Sequence, residues 1–139
     1  MTEDLTTAAQ AIFSHDRFAT ELVGVEIVSA SKHSACCRMS VGPQHRNAMG
    51  GVMGAVFFTL ADLAFAAAAN SDAIAVGQPI AWVSADSHIA FLRNTAADQI
   101  TAIARCVRQG HTSCVYTIEI QDPSQTMLAI VTTTGIKKK

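Results

Sequence analysis

Prolines are scarce, three in 139 residues, and none falls in Val52–Asn70, so nothing there blocks a continuous helix. Charge is sparse as well: 15% of residues are charged against 50% hydrophobic, which excludes a disordered chain. Ten basic and eleven acidic residues give a net charge of −1 with no basic stripe, which argues against a nucleic-acid partner. Lys137-Lys138-Lys139 reads as a solvated tail. The four cysteines, Cys36, Cys37, Cys106 and Cys114, include no C-x-x-C. Cys36 and Cys37 are strand neighbours that point to opposite faces, so a shared metal is not expected and reduced thiols are. No G-x-S-x-G elbow occurs, and the histidines lack metal-ligand spacing. The start, "MTEDLTTAAQAIFSHD", lacks the basic opening and apolar block of a signal peptide, and a cytoplasmic location is expected. The longest apolar stretch is broken by Thr59 and Asp62, so no membrane span is expected. Without repeat, linker or low-complexity segment, residues 1–139 read as a single domain.

The patterns that are present give an order of elements. An amphipathic N-terminal helix lies within residues 1–20, its best part from Thr2 to Ser14. Thr2 or Asp4 is a candidate cap, and Leu5, Ala8, Ala9 and Ile12 form its apolar side. Leu22–Ala30 reads as a strand. His33–Val41 alternates, with Ala35, Cys37, Met39 and Val41 on one face. "GPQHRNAMGG" is a loop, and residues 52–70 form the one long helix, ended by "SDAIAVGQP". Four strands follow: Ala81–Leu92, Gln99–Gln109, Thr112–Gln121 and Met127–Ile136, the second and third pairing around Gly110-His111. The helix is apolar on nearly every side and must be covered all round. An α+β fold follows, in which one curved antiparallel sheet wraps a central helix and a second subunit closes the rest.

Asp62 stands alone in "RNAMGGVMGAVFFTLADLAFAAAAN". It shares a helix side with Ala55, Thr59, Ala66 and Ala69, while Phe57, Leu60 and Ala64 lie opposite. A structural hydrogen bond at a helix interface is one reading. The cost of burying a carboxylate favours a functional one, with proton affinity raised by desolvation. Gly50, Gly51 and Gly54 surround the helix start, where free N–H groups and the helix dipole can hold a carbonyl oxygen; a plain loop-to-helix turn uses the same residues. Asn47 is either a donor to that carbonyl or a turn residue. Ser84, Asp86 and His88 alternate onto one strand face with Trp82. Same-face neighbours stand parallel about 7 Å apart, so they make no Ser/His/Asp triad. Ser84 fits a polar contact in a pocket, and His88 an exposed or structural role.

The stretches "RNAMGGVMGAVFFTLADLAFAAAANS", "SADSHIAFLRN", "QGHTSCVYTIEIQD" and "LAIVTTTGI" together resemble the hotdog-fold acyl-CoA thioesterases of the phenylacetate-degradation (PaaI) type, in the 4HBT thioesterase superfamily. The resemblance runs from about residue 40 to the end. It implies a hotdog fold and hydrolysis of an aromatic or medium-chain acyl-CoA to free acid and CoA, with no cofactor beyond the CoA of the substrate. Asp62 then matches the carboxylate acting as general base or nucleophile. Gly54 matches the N–H that polarises the thioester carbonyl, Asn47 the asparagine near that carbonyl or the water, and Ser84 the residue placing the water. Phe91, Leu92 and Arg93 match a strand end near the CoA groove, where Arg93 meets phosphate. Met53, Thr59 and Phe58 fall on the substrate side. A homodimer is implied, often paired into a homotetramer, with sites shared between chains. The family's His-Gly-Gly reads Met53-Gly54-Ala55 here, and Asn94 stands where proline is common. A hotdog hydratase or dehydratase would need a histidine near the helix. A non-catalytic acyl-CoA-binding protein is the remaining alternative.

Overall fold

The computed structural model describes residues 2–139. Helix α1 (Thr6–Phe13) is shorter than its sequence suggests. The Asp4 carboxylate takes the Thr6 N–H at 2.9 Å, just ahead of the first turn. Leu5, Ala9 and Phe13 anchor the helix in the core, and Ala8 is exposed. The expected helical span to residue 20 is broken: the chain turns after Ser14 and makes a separate π-helical turn, Phe18–Val23. Gly24 ends that turn at φ +89°, a backbone region that suits glycine. Leu22 and Val23 therefore belong to the turn, and the first strand, β1, is Glu26–Ser31.

The remaining strands are β2 (Ser34–Ser40), β3 (Trp82–Phe91), β4 (Gln99–Gln109), β5 (Ser113–Gln121) and β6 (Met127–Lys137). They form one antiparallel sheet in the order β1-β2-β4-β5-β6-β3. The long helix α2 (Gly54–Ala69) packs against all six strands. This is the α+β hotdog architecture. As expected, Ala35, Cys37, Met39 and Val41 face the core. Phe65 of α2 meets Tyr116 of β5 edge-on, with ring centroids 5.6 Å apart. Cys37 and Cys114 are buried, Cys36 and Cys106 only half-buried, and all four are free.

One side of α2 stays open. Ala55, Phe58 and Asp62 are exposed, Thr59 and Ala66 half-buried, and nearly all the rest of the helix is buried. These positions recur every three or four residues, which makes them a single stripe. Ala69, expected beside them, is buried.

The end of α2 is tied to the start of β3 by Asn70, which is 1% exposed. Its Oδ1 accepts the N–H groups of Ala81 and Trp82 at 3.0 and 2.9 Å. Its Nδ2 donates to the carbonyls of Ala66 and Trp82 at 2.9 and 3.2 Å. Every amide valence of a buried asparagine is thus used to fix β3 beside the helix. Between them lies a short helix, α3 (Ser71–Ala75), where polar residues had suggested only a stop.

Candidate active site

The strand that faces Asp62 is irregular. Ser84 pairs with Gly135 and Asp86 with Thr134, so Ala85 is the extra residue of a bulge. Before it, Trp82 packs against the core and Ser84 faces the Asp62 carboxyl. Beyond it, the Ser87 hydroxyl lies 2.9 Å from that of buried Thr133, and Phe91 packs on Phe57 with centroids 5.9 Å apart. The inward set therefore changes parity at the bulge. Ser84, Asp86 and His88 do not share one face, as a regular strand would require; Asp86 and His88 fall on the other.

Asp62 lies in an open cavity of about 630 Å³. Its walls are the Asp16–Ala19 segment, one side of α2 with Phe58 and Thr59, β3 around the bulge, and Val131 with Thr133 of β6. Although exposed in a single chain, the Asp62 carboxyl is crowded by these walls, and desolvation pushes its proton affinity above the usual carboxylate range. The nearby Ser84 hydroxyl pulls the other way by favouring the ionised form, and the charge of Asp16 adds to the rise. The Thr59 hydroxyl is turned back to the Ala55 carbonyl at 2.9 Å.

The other residues singled out in the sequence lie at the opposite end of the helix. Gly54 is its first residue, with Met53 before it, 44% exposed. Among the described residues neither the Gly54 nor the Ala55 N–H has an acceptor in the chain. A Cβ on Gly54 would come within 3.1 Å of the Phe91 ring, so glycine lets that ring lie close against the helix start. Gly54, Phe91, Leu92 and Arg93 line a second cleft of about 400 Å³. Asn47 is a turn residue first: its Oδ1 accepts the N–H groups of Met49 and Gly51, each at 3.0 Å. Its amide nitrogen makes no hydrogen bond among the described residues.

Three residues missed by sequence reasoning hold this loop. Arg46 donates to the carbonyls of Gly50, Thr95 and Ala97 at 3.0, 3.1 and 3.0 Å. Asn94 accepts the Val52 N–H at 3.1 Å. His45, 5% exposed, accepts the Gly42 N–H at Nδ1 and donates from Nε2 to the Val23 carbonyl, so both its nitrogens are committed. No histidine lines the Asp62 cavity among the described residues. A hydratase arrangement of histidine and carboxylate is not formed there.

Residues 49–129 match the family model described as the thioesterase superfamily. The chain belongs to that superfamily. It is a thioester hydrolase. It is 37% identical to the acyl-coenzyme A thioesterase PaaI of Escherichia coli, over 88% of this chain and 83% of that protein. It is 32% identical to a putative esterase of Deinococcus radiodurans, over 73% of this chain and 65% of that one. The solved structure of the E. coli PaaI protein superposes with a TM-score of 0.83, covering 97% of this chain and 96% of that one at 30% identity. The zebrafish thioesterase superfamily member 2 shares the fold at 23% identity, with a TM-score of 0.79 over 95% of this chain and 97% of that one. Among the described residues no helix is long and apolar enough to cross a membrane.

Proposed function

We propose that the protein hydrolyses an aromatic or medium-chain acyl-CoA to the free acid and CoA, as a cytoplasmic homodimer or dimer of dimers. The observation that carries this is Asp62: a carboxyl of raised proton affinity in a partly apolar cavity, on a thioesterase-superfamily scaffold. A carboxylate in such a setting is a stronger base than one in water. As base, Asp62 takes a proton from water while the oxygen attacks the thioester carbon. As nucleophile, it forms an acyl-enzyme that water then opens. Either way the C–S bond breaks, and the CoA thiolate leaves and is protonated. Ser84 orients the water. The Gly54 N–H stabilises the developing oxyanion, and the Asn47 amide donates to the same carbonyl or to the water. Phe58, Thr59 and Met53 bound the acyl and thioester region. Phe91 lines the CoA path and Arg93 meets phosphate. No metal or redox group is required by this chemistry.

One chain does not bring these groups together. Gly54 and Asp62 are eight residues apart on one helix, which is about 12 Å of rise. A reacting carbonyl must lie about 3 Å from its N–H donor and near the attacking group. Two antiparallel helices about a two-fold axis meet that requirement, because the start of one then lies beside the middle of the other. The open stripe on α2 and the edge strand β3, exposed from Val83 to His88, support such a pairing. In this reading Asn47 and Gly54 come from one chain, and Asp62 and Ser84 from its partner.

Release of CoA thiol, followed with DTNB across a panel of acyl-CoAs, tests the reading. Turnover of phenylacyl or medium-chain thioesters well above buffer is expected. Binding of these thioesters without release would overturn it.

A further inference from the structure

We infer that Asp16 is a specificity-determining residue: its carboxylate, set in the wall of the Asp62 cavity, excludes acyl groups that end in a negative charge and restricts the enzyme to acyl chains with an uncharged far end. The inference rests on reading this cavity as the acyl site.

The position of Asp16 is fixed by the turn that follows α1. Its N–H donates to the Phe13 carbonyl at 3.0 Å, and Phe13 is buried. Its own carbonyl accepts the Thr20 N–H at 3.0 Å and the Thr20 hydroxyl at 3.1 Å. Ala19, buried three residues on, seats the π-helical turn. The backbone at Asp16 is therefore held on both sides, and its carboxylate has no ion-pair partner among the described residues.

The charges around the cavity do not balance. The segment after α1 contributes Asp16 and Arg17, and α2 contributes Asp62; the Asp86 side chain lies on the other face of β3. Ser84, Ser87 and Thr133 add only hydroxyls. Among the described residues that line it Arg17 is the one cation, and its Nε already donates to both carboxylate oxygens of Glu21, at 3.0 and 2.9 Å. An acyl chain entering between Phe18 and Phe58 meets apolar surface with Asp16 and Asp62 in its walls. A carboxylate at its tip gains no free partner and is repelled. The same field opposes retention of the carboxylate product. For charges several ångströms apart in a partly open site, the expected discrimination is roughly tenfold, and it weakens as salt is raised.

The test uses two thioether ligands that cannot be hydrolysed, S-hexyl-CoA and S-(5-carboxypentyl)-CoA. Calorimetry then reads tail charge apart from turnover. The native protein should bind the hexyl compound about tenfold more tightly at low salt. In Asp16→Asn the ratio should fall at least threefold, while the exposed Glu3→Gln, outside the cavity, keeps the native ratio. A native ratio near one, or an unchanged ratio in a folded Asp16→Asn protein, overturns the inference and leaves the hydrolase reading standing. Failure of both ligands to bind overturns the inference together with the reading of the cavity as the acyl site.

Discussion

Ser84 and Ser87 are three positions apart on β3, yet both face the cavity beside α2. A regular strand puts such residues on opposite faces. Ala85, the extra residue between the paired positions, reconciles them. Removing it leaves both serines on the inner face of a straighter strand. Deletion of Ala85 should therefore leave a folded protein with a single cooperative urea transition and reduced turnover, because the bend no longer aims Ser84 at Asp62. Deletion of Ile89, in the regular part, shifts one half of the strand by one position and should abolish the transition. If the two deletions behave alike, the bulge is not what sets the inward residues.

Asn70 is the second point at which α2 and β3 are fixed to one another. Asn70→Ala removes four hydrogen bonds and leaves the N–H groups of Ala81 and Trp82 without their acceptor. A loss of about 2–3 kcal/mol is expected from urea unfolding. A loss below about 0.5 kcal/mol would show that water replaces the amide without penalty.

The raised proton affinity of Asp62 has two consequences of definite sign. In the proposed mechanism the ionised form acts, so kcat/KM should climb with pH through a midpoint raised above the ordinary aspartate value, and this limb should vanish in Asp62→Asn. For stability the sign is the reverse of a salt-bridged acid. A folded-state affinity above that of the unfolded chain favours folding most at low pH, and the advantage is lost as pH rises through the folded value. Asp62→Asn should thus be more stable than the native protein at pH 7, with the difference shrinking below the carboxylate range. A native limb at ordinary carboxylate pH would contradict the crowding argument.

Met53 stands where the resemblance to the PaaI-type thioesterases implies a histidine at the helix start. Met53→His should raise turnover modestly, several-fold at most, if the loop keeps its present shape, and steady-state rates on the best acyl-CoA will show it. A lower rate would mean that methionine suits the substrate this enzyme meets.

Much of this fold was legible because local pattern and tertiary burial agree. The alternation in Ala35, Cys37, Met39 and Val41 specified β2, and Gln99–Gln109 was bounded correctly by its β-branched run and the following glycine. Leu22 and Val23 misled because an apolar π-helical turn and a strand look alike over two residues. The bulge left no trace: the residues around Ala85 alternate in chemistry while the backbone changes parity. Asn70, Asn94 and Arg46 reach partners 12, 42 and 51 positions away, so their tying roles follow from the fold and from no local spacing. Asp62 was legible for the opposite reason, as a lone acid in an apolar helix. Asp16 was not, because only the turn after α1 brings it to the same cavity.

The central claim is that each site is built from two chains, and subunit mixing tests it directly. Asp62→Ala and Asn47→Ala, each inactive alone, are unfolded and refolded together, with mixed dimers confirmed by mass. In a mixed dimer one site carries both lesions and the other carries neither. Random pairing makes half of the dimers mixed, so about a quarter of native activity should return. Confirmed mixed dimers that stay inactive would place all four groups in one chain and contradict the account.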